Sequence, residues 1–246
     1  MAAHCADLTQ LRFNATVPLQ QLGQWTARPK GNNPAQAALS AARQTALHRY
    51  TVRHAGVLVS ELARPALCLN LPLPAHARFA WSPGEPGYLS LRQLLRHRPM
   101  GPVADRNIHV CKDPDVVAIA ADRLGATRAP LVCTDGMPTA AQRIVLGQLA
   151  AACGHLHYHG DYDWPGIGIG NFVMRTWNAR PWGFGAADYR AATARAPTRP
   201  HGLEAARVKA VWDAELAAVM NAHGFAVAEE AVVACLLDDL GSPVAQ

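Results

Sequence analysis

From Ile108 onward, short apolar runs alternate with longer segments whose apolar residues recur at helical spacing. Ile108 to Cys111 predicts a strand, and Asp113-Pro114 opens a helix through about Leu124. Pro130 to Cys133 predicts a second strand, followed by a helix over Thr139 to Cys153. His155 to His159 predicts a third strand, and Pro165 to about Trp177 a third helix. This alternation implies a parallel sheet with helices over its faces, and in such sheets ligands sit at the carboxyl ends of the strands. Beyond it, Arg180 to Phe184 predicts a strand and Asp188 the start of a helix. Leu203 to His223 is an amphipathic helix closed by Gly224, and Glu229 to Leu240 a last helix closed by Gly241 in a left-handed cap.

The front of the chain has a different rhythm. Residues 1–32 are irregular, Asn33-Pro34 starts an Ala-rich helix over residues 35–49, and His54 to Leu71 holds short strands with a turn at Arg64-Pro65. Residues 72–88 are loop, Ser90 caps a short helix from Leu91 to His97, and residues 99–106 form a boundary. The expected class is therefore α/β: a smaller α+β region over residues 1–105, then over residues 106–246 a sheet domain with C-terminal helices.

At 246 residues and 50% hydrophobic, the chain is long enough to bury a sizeable core and is not of disordered composition. The N-terminus lacks a signal-peptide layout, and no stretch approaches the roughly 20 apolar residues of a membrane span. A cytoplasmic protein is expected, with no membrane partner. The six cysteines contain no Cys-x-x-Cys pair and read as buried free thiols. Charge is uneven: residues 1–106 carry 12 Lys/Arg and 4 Asp/Glu, whereas residues 107–246 carry 11 and 14. A basic half beside an acidic-centred half suits a polyanion-binding surface next to a metal site, or reflects only an Arg-rich composition. Lys30, Arg43, Arg49, Arg53, Arg92, Arg96 and Arg98 are the candidate phosphate contacts.

The chemistry concentrates in His155-Leu-His-Tyr-His159-Gly-Asp161-Tyr-Asp163-Trp-Pro-Gly166. Two carboxylates one residue apart at a strand exit point to the same side, and a divalent cation such as Mg²⁺ relieves their repulsion. Their alternative is a helix-capping turn with solvated acids. His155, His157 and His159 suggest a zinc hydrolase site, but at i, i+2 and i+4 on one strand they span about 13 Å, too far to share one ion. His159, nearest the acids, is a candidate phosphate contact or proton relay, or else a satisfied core histidine. Trp164, Trp182 and Phe184 read as core.

The three strand ends together resemble a Toprim domain, the metal-binding α/β module of topoisomerases, primases and related nucleases. Asp161-Tyr-Asp163-Trp-Pro-Gly166-Ile-Gly-Ile169 resembles the Asp-x-Asp run of the topoisomerase VI A subunit, and Gly136-Met-Pro138 with Arg143 resembles its Gly-x-Pro…Arg segment. A narrower likeness runs from about His54 to Leu240. His159 to Gly166, Pro181-Trp182, Asp188-Tyr189 and Glu229-Glu230…Leu236-Leu237-Asp238-Asp239-Leu240 are similar to the JetD subunit of Wadjet systems, condensin-like complexes that restrict plasmids. That resemblance implies a Toprim-like parallel sheet and a Mg²⁺- or Mn²⁺-dependent DNA endonuclease. It also implies DNA and SMC-like ATPase subunits as partners, and a homodimer is compatible with it. The family usually has a longer N-terminal region, so the chain looks shortened at its front.

One departure is central. Where the family has Val-Cys-Glu-Asn-Pro, this chain reads Val110-Cys111-Lys112-Asp113-Pro114, so Lys112 stands at the position of the Toprim Glu. Asp113 is either a substitute ligand or an N-cap, and Asp135 either a stand-in ligand or a turn residue before Gly136. Arg143 faces the site or is solvated, and Glu229 and Glu230 are added ligands or ordinary first-turn acids. An ammonium at Lys112 is expected to pair with Asp161 or Asp163 and to weaken or abolish metal binding. The chain is then a nuclease subunit, impaired or not, with Asp161, Asp163, Lys112, Asp113 and His159 in catalysis and Asp161, Asp163 and Asp135 on the metal. The alternatives are a non-catalytic DNA-binding or assembly subunit that keeps the fold, or a stand-alone metal-dependent phosphohydrolase. The DNA contacts expected are Arg143, Arg92, Arg96, Arg98 and Lys30.

Overall fold

A computed structural model describes residues 60–72, 81–96, 103–127, 129–195, 202–204 and 208–241. The helix expected over residues 35–49 lies outside them, as do Cys5, Lys30, Arg43, Arg49, Arg53 and Arg98. Among the described residues six strands make one sheet: β1 (Ala66–Leu69), β2 (Gly87–Leu89), β3 (Asn107–Cys111), β4 (Leu131–Cys133), β5 (His155–Tyr158) and β6 (Arg180–Pro181). Their order is β2-β1-β4-β3-β5-β6. The four strands β4, β3, β5 and β6 run parallel, as the alternation implies.

The sheet as a whole is mixed, not parallel. β1 pairs antiparallel with both β2 and β4, so two strands from the segment assigned to a separate front region join the same sheet. Burial is the reason. All four residues of β1 are buried, with Ala66 and Cys68 facing one core cluster and Leu67 and Leu69 the other. A strand apolar on both faces needs cover on both sides, and a place beside β4 sets it between the two core clusters.

Helices α1 (Leu91–Arg96), α3 (Ala140–Ala151), α4 (Trp164–Trp177), α5 (Ala186–Arg195) and α6 (Leu216–His223) pack into the larger cluster. The helices α2 (Pro114–Leu124) and α7 (Val233–Gly241) cover the other face through Val116, Val117, Leu236 and Leu240. Local chemistry sets where these helices begin. Asp113 accepts from the Asp115 N–H at 2.9 Å and Pro114 follows it; Ser90 and Gln93 bond reciprocally, as do Thr139 and Gln142.

Two expected elements are shorter in the structure. The helix expected over Leu203 to His223 is only Leu216–His223. Its front half is captured by side chains: Asn171 donates to the Lys209 carbonyl and accepts from the Val211 N–H, both at 2.8 Å. Asp213 then caps α6 through the N–H groups of Glu215 and Leu216. Such local bonds compete with the helical ladder. The strand expected over Arg180 to Phe184 is Arg180–Pro181, ended by Gly183 at φ 54°. The last helix opens with a 3₁₀ turn, Glu229–Val232, and runs through Gly241 instead of stopping before it.

Cys68, Cys111 and Cys133 are buried free thiols as expected, whereas Cys153 and Cys235 are exposed. No helix among the described residues is long and apolar enough to cross a membrane.

Candidate functional site

β3 and β5 are adjacent parallel strands, and the chain leaving each reaches the same carboxyl edge. β3 passes directly into Lys112, and β5 passes through His159 and Gly160 into Asp161. There the Lys112 Nζ lies 2.5 Å from Asp161 Oδ2, with only 26% and 14% of the two side chains exposed. The other Asp161 oxygen, Oδ1, accepts from the main-chain N–H of Glu229 at 3.1 Å. Glu229 has no exposed surface, and its carboxylate accepts from the N–H groups of Lys112 at 3.0 Å and Asp113 at 2.7 Å. The three residues close a ring: Lys112 N–H to the Glu229 carboxylate, Glu229 N–H to Asp161, Asp161 back to the Lys112 ammonium. An antiparallel bridge between Tyr162 and Val227 fixes the C-terminal segment beside it.

The charges are interdependent. Burial works against the Lys112 ammonium, but the hydrogen bond and charge of Asp161, with Asp113 and Asp163 beyond, hold its pKa above the usual value. Burial, with Asp161 nearby, pushes the Glu229 carboxyl well above the ordinary range despite its two N–H donors. Burial raises Asp163 as well; the Gly166 N–H and Lys112 oppose that rise and Asp161 adds to it.

Asp161 and Asp163 have different hydrogen-bond partners. Residues 161–163 have left the strand, and Asp163 is the N-cap of α4, accepting from the Gly166 N–H at 2.5 Å. Between them Tyr162 is buried, its hydroxyl donating to the Gly183 carbonyl at 2.7 Å. Asp113 is likewise a cap. Asp135 sits in a left-handed turn at φ 48°, its carboxylate 3.5 Å from Arg64.

His159 is 1% exposed, bonded through Nδ1 to the Trp182 carbonyl at 2.8 Å and packed on Phe184. It is a core histidine. Nor do the three histidines converge: His155 approaches Asp105 and His157 meets Asn107. Arg143 donates to the Pro138 carbonyl and lies 4.8 Å over the Phe172 ring, so its guanidinium is used within the fold. Arg92 pairs with Glu61, and Arg96 is exposed at the end of α1. Trp182 and Phe184 are core, and Trp164 donates to the Glu204 carbonyl.

The Mg²⁺ implied by the Toprim resemblance does not fit the residues as they stand. Lys112 occupies one oxygen of Asp161, a main-chain N–H occupies the other, and Asp163 holds a helix end. Asp113, Asp115 and Glu230 do bring carboxylate oxygens within 4.8 Å of one another at the start of α2.

Glu229 is the residue that sequence reading undervalued, because an acid in a first helical turn has an ordinary explanation. Its signal was the Glu-Glu before the last apolar run. Glu229→Ala leaves two buried N–H groups without acceptors and is expected to cost about 3 kcal/mol, whereas Glu229→Gln, keeping one acceptor, costs about 1. Urea unfolding of both variants checks this; equal, sub-threshold losses of about 0.5 kcal/mol would remove Glu229 from the ring.

The fold and this edge define an α/β protein whose acidic strand ends are bridged by an internal lysine. Residues 87–240 match the family described as Protein of unknown function C-terminus (DUF2399), and the chain belongs to that family. The match runs from β2 to α7, across the boundary expected at residues 99–106. No curated protein matches the chain.

Proposed function

We propose that the chain is a DNA-binding subunit of a Wadjet-like plasmid-defence complex, of the JetD type, that keeps a Toprim-like acidic edge without cleaving DNA. The observation that carries this reading is the ammonium of Lys112 seated on Asp161 at the carboxyl edge of the parallel strands. A Toprim nuclease uses its acids to hold a cation against the scissile phosphate; here those acids are engaged by Lys112, by Glu229 and by a helix end. The parallel order of β3, β4 and β5, and the Asp-x-Asp loop after β5, support the Toprim likeness. The basic front half supports DNA as the ligand, and SMC-like ATPase subunits are the assembly partners that the JetD resemblance implies.

Supercoiled plasmid tests it. DNA is expected to bind without sequence preference and to be released steeply by salt, with affinity falling by about 10-fold or more between ~50 and ~200 mM. No nicking above the level of Asp161→Asn is expected with Mg²⁺ or Mn²⁺. Cleavage that Asp161→Asn abolishes would overturn the non-cleaving reading, and salt-independent or absent binding would overturn the DNA-binding one. Within the described residues, Arg96→Ala is expected to weaken binding several-fold. Arg143→Ala is expected to lower stability by about 1 kcal/mol through the lost contact with Phe172 and to leave DNA affinity unchanged.

The cleaving alternative has one specific support, the Asp113, Asp115 and Glu230 cluster at the start of α2. The same assay decides it, because cleavage routed through that cluster would persist in Asp161→Asn and fall in Asp115→Asn.

A further inference from the structure

The place where a divalent ion would be expected is taken by a side chain of the protein itself. Lys112 extends from the end of β3 and its ammonium meets Asp161 Oδ2 at hydrogen-bond distance. Asp113 and Asp163 face the same ammonium electrostatically, and Glu229 lies buried beneath it on the Lys112 and Asp113 N–H groups. The Asp161 carboxylate does not swing freely to find this partner. Its other oxygen is fixed by the Glu229 N–H, and Tyr162 next to it is pinned by the bridge to Val227. A rigidly aimed carboxylate oxygen, surrounded by further carboxylates, is what a cation site offers. Lys112 meets it with one positive charge tethered by the chain, so no ion has to be gathered from solution.

We infer that Lys112 is a resident counter-cation in the place of a divalent metal ion, so that native protein holds no metal at Asp161 and acquires a divalent-cation site there when the ammonium is removed. The inference deepens the non-cleaving reading and rests on it for the character of the acidic edge. Three features of the ring explain why lysine suffices. Its Nζ is a donor for Asp161 while its own N–H binds Glu229, so one residue serves two acids. Its stem is largely covered, which limits the entropy lost on holding the head in place. Its single charge leaves Asp113 and Asp163 free to cap α2 and α4, whereas a metal would draw their oxygens toward itself.

Thermal unfolding with the ions alone tests this, on wild type, Lys112→Gln and the double variant Lys112→Gln/Asp161→Asn. Addition of ~5 mM Mg²⁺ or Mn²⁺ is expected to move the wild-type Tm by less than ~1 °C, whereas Lys112→Gln, starting lower, is expected to rise by ~3 °C or more. The double variant is expected to lose that response, which separates Asp161 from the carboxylates of Asp113, Asp115 and Glu230. An equal rise in wild type and Lys112→Gln, no rise in either, or a rise that survives in the double variant would each overturn the inference. If Lys112→Gln is recovered unfolded, refolding with and without Mn²⁺ asks the same question: recovery only with the ion supports the inference, and failure with both overturns it. Electrophoretic DNA binding by wild type, in metal-free buffer, is read alongside. Its loss would strike the proposed function, whereas a failed ion response with DNA binding intact would strike only the counter-cation.

Discussion

Between pH 6.5 and pH 4 the protein is expected to lose up to about 6 kcal/mol of stability through His109 and His159 alone. Both start from an ordinary value of 6.5 and are lowered to about 4, in each case chiefly by burial. The neighbouring His157 lowers His109 further, whereas the Trp182 carbonyl and the charges of Asp188 and Asp161 oppose the fall at His159. A histidine whose folded pKa lies below its unfolded value binds its proton more readily in the unfolded chain. Its stabilising contribution is therefore complete above pH 6.5 and is lost as the pH falls toward 4, at about 1.4 kcal/mol per unit of difference. That is roughly 3 kcal/mol for each ring.

The geometry gives these charges nowhere to go. His159 is enclosed by Tyr162, Trp182 and Phe184, and its Nε2 is buried without a partner. His109 packs at a tilt on Trp182, ring centroids 4.5 Å apart, and its Nδ1 is likewise buried and unpartnered. Urea unfolding at pH 7.5 and pH 4.5 reads the effect. His159→Gln is expected to be less stable than wild type at pH 7.5 and to lose about 3 kcal/mol less on acidification. A variant that falls as steeply as wild type would show that the acid sensitivity lies elsewhere.

What could be read from the sequence follows from how local each cause is. The starts of α2 and α4 were legible because Asp-Pro at residues 113–114 and Asp-x-Pro at residues 163–165 carry their own caps. The parallel strands were legible as apolar runs at regular spacing. The sheet's antiparallel flank was not, because four apolar residues at Ala66–Leu69 do not say which edge they join. The irregular stretch before α6 was hidden for a similar reason: its amphipathic spacing is real, but Asn171 and Asp213 compete for its backbone. At the site, the substitution at Lys112 was visible and its pairing with Asp161 could be anticipated from charge. The part played by Glu229 could not, since its carboxylate returns to the strand end from 117 residues away.

Gly166→Ala is expected to cost about 4 kcal/mol or more, and to do so in the first turn of a helix where alanine is ordinarily favoured. A Cβ on Gly166 would stand 2.2 Å from the Asp161 carbonyl oxygen, 3.0 Å from its carbonyl carbon and 2.9 Å from Asp163 Oδ1. The first two are backbone atoms, so no side-chain rotation relieves the contact; either α4 withdraws or the Asp161 loop moves. Withdrawal breaks the cap between Asp163 and the Gly166 N–H, and movement of the loop carries Asp161 away from Lys112 and from the Glu229 N–H. Both routes open the ring at the carboxyl edge. Gly168, two residues on in α4, is the control: a Cβ there meets nothing within 4 Å, and Gly168→Ala is expected to stabilise the protein by about 0.5–1 kcal/mol. Denaturant midpoints of the two alanine variants therefore move in opposite directions. If Gly166→Ala unfolds within about 0.5 kcal/mol of wild type, the close approach of α4 to Asp161 does not hold the site together.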